Sequence, residues 1–470
     1  MVVVHQFAGK RVAVLGLGRS GLATARSLTA GGAEVLAWDD KEAARNAIAG
    51  EVALIDLALP DSWRDVAAVV LSPGIPHSFP QPHPAVVQAR GAGVEIVGDL
   101  ELLARTQPAA RYVGISGTNG KSTTTALIGH ILHVAGRRAE VGGNLGTPAL
   151  SLMPLDADGT YVLEASSYQL ELLSSLAFDV AVLLNITPDH LDRHGGMDGY
   201  IAAKRHIFDR RDENASAVIG IDEPICRAIA AEMPRTGDRR VVPISVEEPV
   251  SGGVYVAGGW LVDAIDGLPA RVFDLTEAAR LPGAHNWQNA AAGYAVARRL
   301  GIAPNVAAAA LRSFPGLAHR QELVDTVEGV RYINDSKATN ADATEKALTC
   351  YRSIYWIAGG LSKAGGIVPL SPYFERLRHA FLIGNATEEF AATLDGKVPY
   401  TRCGDLATAV AMAADRARSE RIPDAVVLLS PACASWDQFT SFEARGDAFR
   451  GLVGQLKGPP AGPAGNRVTA

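Results

Sequence analysis

The chain has no CxxC pair, no HExxH string, no dense tract of lysine or arginine, and no run of about 18 uninterrupted apolar residues. Each absence removes a class of protein. Zinc sites and redox couples lack their paired thiols, and four scattered cysteines (Cys226, Cys350, Cys403 and Cys433) in 470 residues make no disulfide framework, so a reducing cytoplasmic setting is expected. A formal charge of -6 and a pI near 6.0 leave no basic field for a polyanion, so no nucleic acid partner is expected. The opening MVVVHQFAGKRVAVLGLG lacks a charged leader and a small-residue cleavage site, so neither secretion nor membrane insertion is expected. What is present is globular in character, with 48% apolar and 20% charged residues. The length exceeds the ~250 to 300 residues at which single cores stop growing, so the chain divides into domains.

RVAVLGLG reads as a buried strand entering a glycine turn, SGLATARSLTAGG as an alanine-rich helix closed by glycines, and AEVLAWDD as a second strand. That is a parallel βαβ unit. AAVVLSPGI and GVEIVGD continue the rhythm to Gln107 and Pro108, which places a first domain over residues 1–108. RYVGISGTNGKSTTTALIGHILHV opens a second series, continued by TYVLEASSYQL and VAVLLNITPDH and stopped by Pro315-Gly316, which gives a central domain over 109–314. RYINDSKATN, SIYWIAGGLSK, HAFLIGN and AVVLLSPACAS supply strands for a third domain over 315–456. The tail over 457–470, rich in Pro and Gly, is expected to be disordered. The expected class is α/β in three domains: a Rossmann-like N-terminal domain, a central P-loop-ATPase-like parallel or mixed sheet, and a Rossmann-like C-terminal domain.

Gly16, Gly18 and Gly21 form GxGxxG between a strand and a helix, with Asp39 and Asp40 ending the next strand about 20 residues on. The pattern fits a pyrophosphate seated at a helix N-terminus, with an acid for a ribose; a tight turn without a ligand is the plainer alternative. Gly117-Thr118-Asn119-Gly120-Lys121-Ser122-Thr123 is the narrower string. It follows a strand and opens an apolar helix, as a loop does when its amides cradle phosphates, its lysine neutralises them and its hydroxyl ligates Mg²⁺. It departs from GxxxxGK[ST], because Ile115 stands where the first glycine belongs.

GTNGKST resembles the ATP loop of the Mur ligases and their folylpolyglutamate synthetase relatives. LGLGRSG, LSPGI, GGNLGTPAL, EASSYQLE, NITPDHLDRHG, AAKRHIF, HNWQN, HRQE, INDSKATN and SPACASWDQFTSFEARGDAF agree in order across nearly the whole chain, and resemble the D-glutamate-adding branch of that family. The DNPR-type string of the meso-diaminopimelate-adding branch does not occur.

The resemblance implies an ATP-dependent amide-bond ligase of peptidoglycan synthesis that forms an acyl phosphate, with ATP, UDP-N-acetylmuramoyl-L-alanine and D-glutamate as substrates and Mg²⁺ as cofactor. It implies Lys121, His190 and Lys204 as catalytic residues, with Ser122, Glu164, His190 and a carbamylated Lys204 around Mg²⁺. Asn286, Asn289, Arg320 and Asp335 match the adenosine and phosphate contacts. Gly16, Leu17, Gly18, Arg19, Ser20, Gly21, Asp39, Asp40, Ser72, Pro73, Gly74 and Asn144 match the UDP-sugar site. Thr339, Lys363, Ser435 and Phe442 match the glutamate site, although Leu361 replaces the aspartate frequent in the family's GGxxK loop. A monomer is expected.

Three other readings compete. A folylpolyglutamate synthetase shares the ATP loop and usually lacks a separate nucleotide-sugar domain. An NAD-dependent oxidoreductase leaves GTNGKST idle, and a regulatory nucleotide-binding module leaves His190, Lys204 and the C-terminal strings without work. Read locally, Lys204 is a solvated helix lysine, and His190 with His194 is a zinc pair that no further ligand string supports.

Overall fold

The structure is a computed structural model that describes residues 1–144, 146–209, 215–233, 240–363 and 365–456. The tail expected to be disordered lies outside the described residues. The chain separates into two compact units, one formed by Met1–Ala279 with Ala284–Phe314 and the other by Arg280–Gly283 with the chain from Pro315 onward.

The first unit holds two sheets. Strands β1 (Arg11–Leu15), β2 (Glu34–Trp38), β3 (Ala53–Leu54), β4 (Val66–Leu71) and β5 (Glu95–Val97) run parallel in the order β3-β2-β1-β4-β5. VAVL of β1, after Arg11, and VAAVVL of β4 are apolar throughout because helices cover a parallel sheet on both faces. The second sheet comprises β6 (Arg111–Ser116), β7 (Ala139–Gly143), β8 (Thr160–Glu164), β9 (Val180–Leu183), β10 (Ser216–Gly220), β11 (Arg240–Ser245), β12 (Val254–Ala257), β13 (Trp260–Asp263) and β14 (Ala270–Asp274). Its order is β14-β13-β12-β11-β10-β9-β6-β8-β7, parallel as far as β12 and antiparallel beyond. Because β7, β8, β6 and β9 are neighbours, the loops at their C-terminal ends converge. Those loops carry Asn144, Glu164, the GTNGKST string and Asn185. This is where an open α/β sheet places its ligands.

The two sheets of this unit are tied by buried polar groups. Glu101, fully buried on the helix Asp99–Thr106, accepts the backbone amides of Ser174, Ser175 and Leu176 and the hydroxyls of Ser174 and Ser175. At the chain start, Val2 and Val4 are fully buried, and the Val2 amide donates to the Leu150 carbonyl at 3.0 Å.

The second unit carries β15 (Glu322–Val327), β16 (Val330–Asn334), β17 (Ile354–Gly359), β18 (Leu377–Ile383), β19 (Tyr400–Gly404) and β20 (Val426–Leu429) in the order β15-β16-β20-β17-β18-β19. Only the edge pair β15-β16 is antiparallel. The C-terminal ends of β16, β20 and β17 lie side by side, so the loops bearing Asp335, Ser435 and Lys363 are gathered on one edge. Among the described residues no helix is long and apolar enough to cross a membrane.

Candidate active site

The GTNGKST loop owes its path to glycine. Gly117 and Gly120 have φ of +152° and +85°, and a Cβ on Gly120 would stand 2.4 Å from Asn289 Oδ1. Only glycine takes that backbone and that contact without strain. The loop is pinned from β9: Thr118 N donates to Asn185 O at 2.9 Å, Asn119 N to Asn185 Oδ1 at 2.8 Å, and the Thr118 hydroxyl to Thr187 O at 3.0 Å. The helix Lys121–Val134 then starts with no side-chain cap on Gly120, which leaves its first amides and positive dipole end directed at the loop. Thr123 lies half-buried in that first turn. On the neighbouring helix Ala284–Arg299, Asn289 accepts from the Thr124 hydroxyl at 3.1 Å and donates to Asn286 Oδ1 at 3.2 Å, so both asparagines are buried behind the loop.

Glu164, at the end of β8 and 3% exposed, accepts the Ser122 hydroxyl at 2.7 Å and the Asn144 amide at 3.0 Å. A hydroxyl and a carboxylate oxygen side by side next to a phosphate loop are the hard donors that Mg²⁺ takes, with water and phosphate completing its shell. Lys204, on the helix Met197–Arg205, is 2% exposed and not a solvated lysine. Its Nζ donates to Gly117 O at 2.8 Å and lies 4.7 Å from the Tyr200 ring centroid. Burial first, and then the charge of Lys121, hold its amine well below the usual lysine range.

His190 adopts φ +51° at the start of the turn Leu191–His194, and its half-exposed side chain stands 3.5 Å from Asp189. His194 does not join it as a zinc ligand. The His194 ring is buried, stacked on Tyr168, with Nε2 at 2.9 Å from the Ser167 hydroxyl and Nδ1 at 3.4 Å from Glu171. No group of three or more His, Cys, Asp or Glu suited to a metal occurs among the described residues.

In the first sheet, Gly16 (φ +88°) packs on Ser72, whose hydroxyl donates to the Gly16 carbonyl at 2.6 Å, and a Cβ on Gly21 would meet that carbonyl at 1.8 Å. The helix Arg19–Ala30, opened by Arg19 and Ser20, has no side-chain cap on Gly18. Asp39 shapes the turn with both oxygens, accepting Leu17 N at 2.7 Å and Lys41 N at 2.9 Å, while the exposed Asp40 carboxylate meets His83 at 3.1 Å. The Ser72-Pro73-Gly74 turn is held from the other side by Arg193 Nη1, which donates to Gly74 O at 3.0 Å.

In the second unit, Asp335 is buried, accepts the Ser430 hydroxyl at 2.7 Å and the Gln321 amide at 3.1 Å, and is pushed up to about 7 by burial that those bonds and the charge of Arg320 only partly offset. Arg320 sits between His319 and Gln321, both in the left-handed region at φ +61° and +42°. Leu361 and Ala434 exchange backbone hydrogen bonds at 2.9 and 3.0 Å, which brings the Lys363 loop beside Ser435. The Ser336 hydroxyl donates to Phe442 O at 2.8 Å, which joins the loop leading to Thr339 to the start of the helix Phe442–Gln455. Lys363 is exposed, Thr339 and Phe442 are half-buried and Ser435 is buried.

The sequence reading missed Asn185, the partner of two loop amides, and Tyr200, whose hydroxyl lies 3.1 Å from the Thr118 hydroxyl. Asn185 had one local signal, its place directly after an apolar strand.

Three family descriptions match in order: "Mur ligase MurD-like, N-terminal domain" over residues 10–98, "Mur ligase middle domain" over 115–297 and "Mur ligase, glutamate ligase domain" over 319–433. The chain is 57% identical over 461 residues to a Rhodospirillum rubrum protein named UDP-N-acetylmuramoylalanine--D-glutamate ligase, covering 97% of each. Relatives of the same name from Paramagnetospirillum magneticum (58% over 455 residues, 96% of this chain and 98% of the relative) and Caulobacter sp. (53% over 469 residues, 98% and 99%) are similarly close. The fold is also that of UDP-N-acetylmuramate-alanine ligase from Thermotoga maritima, with a TM-score of 0.57 at 17% identity over 95% of this chain and 99% of that one. It is shared as well with a pseudomurein peptide ligase type C from Methanothermus fervidus, at TM-score 0.55 and 17% identity over 95% and 100%. With all three domain descriptions matched and relatives above half identity along nearly its full length, the chain belongs to the Mur ligase family.

Proposed function

We propose that the protein is an ATP-dependent ligase that joins D-glutamate to the alanyl carboxylate of UDP-N-acetylmuramoyl-L-alanine, a step of peptidoglycan synthesis. The observation that carries the reading is the loop of Lys121 and Ser122 at an uncapped helix start, with Glu164 at 2.7 Å from the Ser122 hydroxyl. The close relatives carry that activity in their names.

The alanyl carboxylate attacks the γ-phosphorus of ATP, the bond to the bridging oxygen breaks, and ADP leaves. The amine of glutamate then attacks the acyl carbon, phosphate departs with one former carboxylate oxygen, and the amine nitrogen loses a proton to solvent. Phosphoryl transfer of this kind needs cations and positioning more than a protein nucleophile. The loop amides of Gly117 to Thr123 cradle the phosphates, and Lys121 neutralises their charge. Asn286 and Asn289 back the loop toward the adenosine, and Arg320 and Asp335 are assigned to phosphate and ribose by the family match alone.

Mg²⁺ would be held by the Ser122 hydroxyl, Glu164, His190 and Lys204, and when bound it supplies positive charge to the phosphoryl oxygens. Lys204 fits that set only as a carbamate. Burial lowers the proton affinity of this amine and so favours the neutral form that combines with CO₂, releasing one proton and becoming an oxygen donor. The turn formed by Gly16, Leu17, Gly18, Arg19, Ser20 and Gly21, with Asp39, Asp40 and Ser72-Pro73-Gly74, takes the UDP portion, and Asn144 the sugar side. Thr339, Lys363, Ser435 and Phe442 take glutamate, with Lys363 pairing a carboxylate.

ATP and nucleotide sugars place this work in the cytoplasm, and we infer a monomer, which sedimentation would check. The test of function is phosphate release in mixtures from which one substrate at a time is omitted. Release should require ATP, Mg²⁺, UDP-N-acetylmuramoyl-L-alanine and D-glutamate together. Equal release with L-glutamate, or without the nucleotide sugar, would overturn the reading.

A further inference from the structure

The guanidinium of Arg445 is buried in the second unit at 1% exposure and makes no carboxylate ion pair among the described residues, with Asp437 attracting it only from farther off. Its Nε donates to the Ser336 hydroxyl at 3.0 Å, and its Nη2 donates to Ser336 O at 2.9 Å and Cys433 O at 3.1 Å. Nη1 is buried and meets no acceptor among the described residues. It lies against Gly360, where a Cβ would come within 3.3 Å of it. An unpaired buried cation with an orphaned donor is costly, and packing alone would be served better by an apolar side chain of the same volume.

The connections of Arg445 follow one pattern. Ser336 leads to Thr339 and hands its hydroxyl hydrogen to Phe442 O. Cys433 leads to Ser435. Gly360 begins the loop to Lys363 and is locked to the Ser435 loop by the paired Leu361 and Ala434 bonds. The side chain therefore touches, or lies one bond from, all four segments that bear the candidate glutamate residues.

Resting on the glutamate assignment above, we propose that Arg445 is a positioning residue for the acidic amino-acid substrate. It sets the mutual placement of the Thr339, Lys363, Ser435 and Phe442 segments, and it lends them a fixed positive charge that favours a carboxylate of the substrate alongside the longer-range attraction of Asp437. In low dielectric that charge is felt through the loops without direct contact.

The experiment is steady-state kinetics on Arg445→Met and Arg445→Lys, with melting temperature and circular dichroism as fold controls. Wild type must first show D-glutamate-dependent phosphate release, since its absence would sink the function and not this inference. Arg445→Met should raise KM for D-glutamate about tenfold or more while KM for ATP and for the nucleotide sugar stays within about twofold, and Arg445→Lys should recover part of the loss. If Arg445→Met does not fold, Ser336→Ala, which cuts the hydroxyl link between Arg445 and Phe442, should show the same glutamate-selective rise. An unchanged KM for glutamate in a folded variant, or equal rises for all three substrates, would overturn the proposal.

Discussion

Lys121 and Lys204 direct their amines at one oxygen, the carbonyl of Gly117, at 2.9 and 2.8 Å. Two ammonium groups on a single carbonyl repel, and burial together with the charge of Lys121 lowers the proton affinity of Lys204. Lys204 is the more deeply buried of the two, which favours the proposed carbamate over a bare ammonium. Lys204→Ala should therefore lose most phosphate release yet keep most ATP affinity through the loop amides and Lys121, and short carboxylic acids added to the variant should restore part of the turnover. A fully active Lys204→Ala enzyme without added acid would contradict the assignment.

Lys121 carries the other charge and has a different consequence. Lys121→Ala should lower turnover by about two to three orders of magnitude with a melting temperature close to wild type, because the cation it removes bonds the carbonyls of Gly117 and Thr118 in the loop. Turnover and thermal unfolding measured on the same preparation check both halves.

Glu101 is the place to look for acid sensitivity. Burial alone would raise its carboxyl, but the hydroxyls and amides of Ser175 and Ser174 outweigh that and bring it down to about 2. A folded-state value below the unfolded one stabilises the protein above the unfolded value and is lost as pH falls from about 4.5 toward 2. Glu101→Gln should flatten that part of the stability profile. Glu101→Ala, which strands the serine donors, should cost about 2 to 3 kcal/mol at neutral pH in urea titrations.

Asp335 works with the opposite sign. Its folded value of about 7 lies above the unfolded one, so its contribution is full below about pH 4 and is lost as pH rises through 7. Relative to Asp335→Asn, the wild-type protein should lose stability between pH 4 and 7. Parallel stability profiles for the two proteins would show that Asp335 ionises freely.

The phosphate loop was legible in the sequence because Gly117 and Gly120 are demanded by local backbone geometry, and glycine spacing survives in a string of letters. The strand order that gathers Asn144, Glu164 and Asn185 around it is set by long-range pairing, and only the alternation of apolar runs with helices hinted at it. Lys204 shows the limit most clearly. In its own helix it reads as a solvent-facing lysine, and its burial depends on Gly117, 87 positions away. Arg445 was invisible for the same reason, since its bonds to Ser336 and Cys433 join segments that nothing local relates. The antiparallel strands β12 to β14 also escaped notice, being short and without a motif.

The central claim is that the alanyl carboxylate is activated by phosphorylation, and isotope transfer tests it most directly. UDP-N-acetylmuramoyl-L-alanine labelled with oxygen-18 in its terminal carboxylate should yield, with ATP, Mg²⁺ and D-glutamate, inorganic phosphate carrying one labelled oxygen per amide formed. Unlabelled phosphate accompanying the amide product, or label appearing in AMP, would contradict an acyl phosphate.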